Sequence, residues 1–280
     1  MSDYIHLFET QAAHDAVYNG SEYTEPWVGL VTANNNVSYN KPPINYTEVP
    51  LTFVITGDGN VVWKAGSGWG KTIEYKKNNG EWTQITSTQN GVTISVTSGD
   101  TVQFRGNNSN YGGWDDDYGS NTGSNFNGTT ATFKVQGNIM SLTNSTEFSS
   151  INTISAGIDA FALLFQNCTG LTDASNLILP CTTLTRRCYF RMFYNCTNLT
   201  TAPILPATTL YARCYEQMFY NCNNLSSVTC LATDISASDC ILQWLSGVSS
   251  TGTFTKAASM TSWPSGSSGI PSNWTVQDVS

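Results

Sequence analysis

The sequence predicts a mainly β protein in four parts: an N-terminal anchor segment, a β-sandwich, a stack of short repeats and a C-terminal cap. Only 11 % of the 280 residues are charged, and the abundant Asn, Ser, Thr and Gly favour strands, turns and loops over surface helices. Short alternating runs of apolar and polar residues recur in the first half. A repeat of 26 residues recurs in the second half. We place the four parts at residues 1–49, 50–142, 143–250 and 251–280.

The first part contains isolated apolar residues among polar ones and ends at Lys41-Pro42-Pro43. We interpret it as an extended anchor that docks on a larger particle, and the alternative is an N-terminal strand that completes the sandwich. The beginning of the chain lacks the basic stretch and apolar run of a secretory signal, and no run of about 18 apolar residues occurs, so we expect neither a signal peptide nor insertion into a membrane. The proposed docking residues are Ile5, Leu7, Phe8 and Trp27.

Two stretches of this anchor, Leu7-Phe8-Glu9-Thr10 and Tyr23-Thr24-Glu25-Pro26-Trp27-Val28, carry a resemblance. They resemble the N-terminal segments of virion-associated proteins of Bacteroidetes phages, including crAss-like phages. The resemblance implies a head-fibre, capsid-decoration or tail protein that docks on other virion proteins.

The second part alternates apolar and polar residues between turns, which predicts the short strands of a β-sandwich. Asn79-Gly80 predicts a hairpin whose primed turn has positive φ at both residues. The stretch from Ile73 to Ile85 resembles the strand–turn–strand of immunoglobulin-like modules, a resemblance that implies fold only. The predicted strands are Leu51–Ile55, Val61–Trp63, Thr72–Tyr75, Gly91–Val96, Val102–Phe104 and Ala131–Val135.

A long loop is predicted from Asn107 to Gly128, and it contains the best local candidate for a site. Exposed aromatic rings could stack on a sugar, and three consecutive carboxylates could bind Ca²⁺, although the spacing of an EF-hand loop is absent. The alternative is a solvated acidic loop with an aromatic anchor. The candidate ligand contacts are Tyr111, Trp114 and Tyr118, and the candidate metal ligands are Asp115, Asp116 and Asp117.

The third part repeats itself: the stretch from Cys188 to Leu199 returns from Cys214 to Leu225, a shift of 26 residues. A less exact copy precedes it at Phe165–Leu171, and a fading fourth copy follows at Cys240, as expected of a terminal unit that must meet water. All eight cysteines follow the repeat and show no metal-binding spacing. We interpret them as buried thiols, with disulfides as the alternative. The residues predicted to point inward are Phe193, Phe219, Leu199, Leu225, Cys196 and Cys222.

The arrangement Phe-x-x-Cys-x-x-Leu followed by Leu-Pro-x-x-x-Leu resembles the BspA-like leucine-rich repeats of bacterial surface proteins and of phages of gut Bacteroidetes. The chain departs from that pattern at Cys188 and Cys214 and in carrying a Tyr where isoleucine and a small residue are usual. The resemblance implies a solenoid that binds a ligand or adheres to a surface, without enzymatic activity. Tyr194, Tyr211 and Tyr220 are candidate contacts, and the alternative for these recurring aromatics is packing.

Other functional classes find little support in the sequence. The two histidines, His6 and His14, lie far from every cysteine, and no Gly-rich phosphate loop is present. The net charge of −8 leaves no basic stripe for nucleic acid. Glycan hydrolysis would rest only on the acidic loop, because the separation of two carboxylates cannot be inferred from spacing here. We therefore expect no enzyme and no cofactor, other than Ca²⁺ as an open alternative.

These observations predict a virion structural protein that is anchored by its N-terminus and presents its repeats for attachment to the host surface or to mucus glycans. The alternative is a bacterial cell-surface adhesin of the same repeat class. A homotrimer is expected because solenoid and sandwich edges expose backbone groups that a neighbouring chain can pair.

Overall fold

The computed structural model describes residues 29–31, 37–39, 44–68, 70–115, 120–121, 123–154 and 159–279. The chain divides into two compact units, residues 1–45 and 46–280. In the first unit, strand β1 (Gly29–Val31) pairs antiparallel with strand β2 (Val37–Tyr39). The four proposed docking residues, Ile5, Leu7, Phe8 and Trp27, lie outside the described residues.

The second unit is built almost entirely of strands, as predicted. Its remaining regular elements among the described residues are short 3₁₀ helices at Tyr46–Glu48, Ile139–Leu142 and Phe148–Ser150. Its strands are β3 (Leu51–Gly57), β4 (Gly59–Ala65), β5 (Thr72–Lys77), β6 (Thr83–Thr86), β7 (Val92–Val96), β8 (Thr101–Arg105), β9 (Trp114–Asp115), β10 (Ser120–Asn121), β11 (Ser124–Asn125), β12 (Thr132–Asn138), β13 (Leu171–Ile178), β14 (Ser227–Cys230), β15 (Gly252–Lys256) and β16 (Trp274–Asp278).

Two sheets share one aromatic core in the first part of this unit. One sheet has the strand order β13-β12-β3-β8-β5-β6 and the other has the order β11-β4-β7. Phe126 joins them, because its ring centroid lies 4.8 Å from Phe53 of β3 and 4.9 Å from Trp63 of β4. All three side chains are fully buried. The six predicted strands are confirmed as β3, β4, β5, β7, β8 and β12.

The predicted hairpin is confirmed, but the prediction of its turn was wrong. Strands β5 and β6 pair antiparallel, with Tyr75 opposite Thr83. The left-handed residue is Asn78, with φ of 52°, rather than Asn79 and Gly80. The Asn78 side chain accepts a hydrogen bond from the N–H of Thr101, at 2.8 Å. Asn tolerates left-handed φ, so this contact with a distant strand selects the turn over the local Asn-Gly preference.

The predicted loop from Asn107 to Gly128 contains regular structure. Strands β9 and β10 pair with each other, and β11 pairs with β4. Tyr111 and Phe126 are fully buried. The segment is therefore partly an integral piece of the sandwich core.

The repeats lie on one another and are joined by backbone hydrogen bonds. We call the copies that begin at Asp159, Arg187, Arg213 and Asp239 repeats 1 to 4. Alternate N–H groups of one repeat donate to the next, as Phe193 does to the carbonyl of Met218 at 2.9 Å. The N–H groups between them donate three residues back within the same repeat.

This hydrogen bonding creates a wall of consecutive turns, which we call the turn wall (residues 159–167, 187–195, 213–221 and 239–247). Left-handed φ recurs at every fourth residue of the wall because each tight turn needs one such residue. These residues are Asp159, Leu163 and Asn167 in repeat 1, Arg187, Arg191 and Asn195 in repeat 2, Arg213, Gln217 and Asn221 in repeat 3, and Asp239, Gln243 and Gly247 in repeat 4.

Parallel strands run alongside the turn wall and continue beyond repeat 4. Strand β13 pairs parallel with β12, the last strand of the sandwich. Strands β14, β15 and β16 form a parallel sheet. The segment predicted as a cap, residues 251–280, therefore adds two more strands to the parallel stacking.

Side chains repeated along the sequence stack on one another inside the unit. The ring of Phe193 lies 5.3 Å from Phe165 and 5.4 Å from Phe219, nearly parallel to both. The six residues predicted to point inward are all fully buried, which confirms that prediction. The eight cysteines are buried free thiols, so the disulfide alternative is wrong.

Candidate functional site

The clearest candidate for a functional site is the side of the turn wall that faces away from the core. Its central residues are half-buried and follow one another from repeat to repeat. We call this set the outer face: Arg191, Tyr194, Gln217, Tyr220 and Gln243.

A ladder of long polar side chains runs across the outer face. Arg191, Gln217 and Gln243 occupy the same position in repeats 2, 3 and 4, and each has φ of 51°. The Nε of Arg191 donates to Oε1 of Gln217, and Nε2 of Gln217 donates to Oε1 of Gln243 at 2.6 Å. Left-handed φ is unfavourable for long side chains, so the hydrogen bonds along the ladder offset a backbone cost.

Two tyrosines form a second ladder beside the first. The ring centroids of Tyr194 and Tyr220 lie 5.0 Å apart, and their planes differ by 5°. The Arg191 guanidinium lies 5.2 Å from the centroid of the Tyr194 ring, a distance at which a cation is attracted by the ring. Ser246 occupies the equivalent position in repeat 4, so the stack ends after two rings.

A third ladder, of asparagines, fixes the register of the other two. The Nδ2 of Asn195 donates to Oδ1 of Asn167 at 3.0 Å, and Nδ2 of Asn221 donates to Oδ1 of Asn195 at 3.2 Å. In repeat 4 the position is Gly247, where an added Cβ would lie 2.5 Å from Oδ1 of Asn221. The close packing at this position holds successive repeats at a constant spacing.

Arginine side chains surround the aromatic residue Phe190. The guanidinium of Arg191 lies 4.9 Å from the Phe190 ring centroid, and that of Arg213 lies 5.8 Å from it. Arg213 binds the carboxylate of Glu216 through Nε and also through Nη2, at 3.2 Å. Partial burial lowers the pKa of Arg191 from its usual value, because a buried guanidinium loses hydration.

A buried ion pair supports the wall from the preceding repeat. The Nε of Arg187 lies 2.9 Å from Oδ1 of Asp159, and the side chains are 5 % and 9 % exposed. Removing one partner of such a pair leaves a buried charge and typically costs about 3–5 kcal/mol. The pair therefore contributes to holding repeat 1 on repeat 2.

The other predicted site residues have different outcomes. Tyr111 does not face a ligand, because it is fully buried and its hydroxyl donates to the carbonyl of Leu142. Burial also raises its pKa well above the usual value. Only the backbone of Trp114 and Asp115 is described, as strand β9. Asp116, Asp117 and Tyr118 lie outside the described residues.

The described residues provide no group of three His, Cys, Asp or Glu side chains arranged to hold a metal ion. The eight thiols are unsuited to nucleophilic chemistry because burial raises their pKa values; that of Cys188, for example, rises to about 12. Within the same described part, no helix is both long and apolar enough to cross a membrane.

Sequence reasoning found Tyr194 and Tyr220 but missed Arg191, Gln217 and Gln243. The missed residues occupy one position of the 26-residue repeat but differ in type, so they do not stand out as a conserved column. Their polar character at three successive copies was the available signal.

We compared the chain with protein-family models, with curated proteins and with solved structures. None of the three comparisons found a match.

Proposed function

We propose that this chain is a non-enzymatic virion structural protein of the fibre or capsid-decoration type, which presents a repeat surface for attachment. In this proposal the N-terminal segment docks on other virion proteins, the two sheets of residues 50–142 form an immunoglobulin-like sandwich, and the repeats form a leucine-rich-repeat solenoid. The resemblances in the anchor and the repeat support these assignments, as does the parallel stacking of β13 to β16.

The outer face is the observation that carries the binding function. Its side chains form ladders in which the same group recurs at one-repeat intervals, 5.0 Å between the tyrosine rings. Exposed aromatic rings flanked by amide and guanidinium groups are suited to saccharides, whose rings combine apolar faces with many hydroxyls. We therefore assign host-surface or mucus glycans as the ligand class.

A glycan-binding measurement tests this assignment. We expect the purified chain to bind a panel of mucin and bacterial-surface glycans, and Tyr194→Ala combined with Tyr220→Ala to weaken binding about tenfold or more, as when a central contact is truncated. Tyr211→Ala is the matched control, because Tyr211 is 55 % exposed and lies outside the two-ring stack. Equal binding by the double variant and the control would contradict a role for the outer face.

Mass spectrometry of purified phage particles tests the virion assignment. The expected result is the presence of this polypeptide at tens of copies or more per particle. Recovery from bacterial envelopes instead would favour the alternative, a cell-surface adhesin. Light scattering after size-exclusion chromatography would test the proposed homotrimer.

A further inference from the structure

We propose that the outer face selects acidic saccharides, with Arg191 binding the carboxylate of a sugar whose ring contacts the tyrosine pair. The inference rests on the proposed function, because it names the ligand class of the same surface. It starts from an unusual distribution of charge.

Positive charge is concentrated on the turn wall although the chain as a whole is acidic. Residues 186–222 contain four of the five arginines of the chain and a single acidic residue, Glu216, which gives a net charge of +3. The complete chain has a net charge of −8. The wall is thus the part of the molecule at which an anionic ligand meets the least repulsion.

Two of these arginines already have carboxylate partners. Arg187 pairs with the buried Asp159, and Arg213 engages both oxygens of Glu216. Arg191 has a different setting, because its Nε donates to a neutral amide and its guanidinium lies over the rings of Phe190 and Tyr194. Of these three arginines, Arg191 is the one that belongs to the half-buried outer face.

The surroundings of Arg191 also increase its attraction for an anion. Aromatic rings and neighbouring repeats remove part of the water from the guanidinium, and a charge pair in such a partly dry setting is stronger than one in bulk water. The lowered pKa of Arg191 reports the same desolvation. A carboxylate at this position would restore the hydration that the guanidinium loses, since carboxylate and guanidinium form paired hydrogen bonds.

The position next to the tyrosine pair identifies the rest of the ligand. A free inorganic anion would need only the guanidinium, whereas a saccharide ring also needs an apolar surface, which Tyr194 and Tyr220 provide within reach of Arg191. Uronic and sialic acids combine a sugar ring with a carboxylate. We therefore assign the acidic sugar as a class and let the experiment separate the two sources.

The experiment compares each acidic probe with a neutral partner. Binding is measured by calorimetry for oligogalacturonate against its methyl ester, and for sialyllactose against lactose. We expect at least one acidic probe to bind about tenfold more tightly than its neutral partner, because a hydrogen bond to a charged group contributes about 1.5–3 kcal/mol. The preference should decrease as salt is raised.

Arg191→Gln is the decisive variant, and the fold itself shows that it is tolerated. Gln217 and Gln243 already occupy the equivalent left-handed position in repeats 3 and 4 and already form the amide ladder. We expect Arg191→Gln to reduce binding of the acidic probe to the level of the neutral one while leaving the neutral probe unchanged. Arg105→Gln, on β8, is the control for loss of one positive charge elsewhere.

The outcomes separate this inference from the proposed function. Equal affinity for acidic and neutral probes, unaffected by Arg191→Gln, would overturn the inference and leave glycan binding in place. Binding of none of the four probes, when other neutral glycans do bind, would also overturn the inference alone. Failure to bind any glycan would overturn both.

Discussion

Two buried tyrosines differ in what their hydroxyl groups contact, which makes one substitution have opposite effects at two positions. The hydroxyl of Tyr111 donates to the carbonyl of Leu142 and accepts from Nδ2 of Asn108 at 3.0 Å. Tyr189 is 1 % exposed, and its hydroxyl has no hydrogen-bond partner among the described residues. Its ring stacks between Phe161 and Tyr215, at 5.9 and 6.0 Å.

The magnitude follows from the energetics of buried polar groups. Tyr111→Phe removes a satisfied hydroxyl and leaves polar groups at Leu142 and Asn108 with one partner fewer, which costs about 1–2 kcal/mol. Tyr189→Phe removes a hydroxyl whose hydration is lost without compensation, which stabilises the protein by about 1 kcal/mol. Both variants keep the ring and its packing, so the two free energies of unfolding differ by about 2–3 kcal/mol.

Thermal unfolding at pH 7, followed by circular dichroism, measures the difference. A unit of this size shifts its midpoint by about 2–4 °C per kcal/mol, so Tyr189→Phe should unfold about 4–12 °C above Tyr111→Phe and slightly above the unmodified chain. Loss of stability in Tyr189→Phe equal to that in Tyr111→Phe would refute the reasoning, because it would show that the Tyr189 hydroxyl has a stabilising partner.

Three further predictions concern packing, backbone and pH. Gly247→Ala should destabilise the protein by about 2–3 kcal/mol, because the residue has φ of 77° and the added Cβ meets Oδ1 of Asn221; Gly266→Ala, with φ of 95° and nothing within 4 Å, should cost only about 1–2 kcal/mol for the backbone, and equal losses in urea unfolding would contradict the steric argument. Phe193→Ala should cost about 3–5 kcal/mol, and a loss under 1 kcal/mol would show that the ring stack relaxes around the cavity. Stability should be constant with respect to the thiols below pH 9 and fall above it, because burial raises the pKa of Cys188 from 9.0 to about 12 and only the unfolded thiol ionises in that interval; the slope is about 1.4 kcal/mol per pH unit for each thiol, and a flat urea midpoint between pH 9 and 10.5 would contradict it.

The positions of the repeat core could be predicted because repetition reveals them directly. Residues that return after 26 positions, such as Phe193 and Phe219, occupy the same place in successive repeats, and an apolar column of this kind is stable only when it is buried. The strands of the sandwich could be predicted for a similar reason, since alternation of apolar and polar residues reports which face is buried.

Features that depend on contacts distant in sequence could not be predicted. Tyr111 stands among Gly and Asn, like an exposed loop residue, and its burial depends on Leu142 and on the pairing of β11 with β4. The strands beyond residue 250 escaped notice because the spacing falls to 22 residues between Gly252 of β15 and Trp274 of β16. A search for the 26-residue period cannot find a unit that has lost four residues.

The turn wall escaped prediction for a different reason. Its period is four residues, and its left-handed positions contain Arg, Gln, Asp and Leu as well as Asn. Left-handed φ is usually inferred from Gly and Asn, so only the column of Asn167, Asn195 and Asn221 carried a recognisable signal. The other columns accept residues with a higher backbone cost because hydrogen bonds between repeats hold each turn.

The coupling between sandwich and repeats explains how the outer face is kept in register. The first parallel strand, β13, needs a partner on its free edge, and β12 of the sandwich provides it. The hydrophobic core is accordingly continuous from Leu51 to Trp274. A ligand that contacts ladders held in this way loses little free energy to ordering the protein, because the side chains are already positioned by their neighbours in the next repeat. Selectivity can then reside in single positions of the ladder, and Arg191, where repeats 3 and 4 have glutamine, is the position that differs in charge.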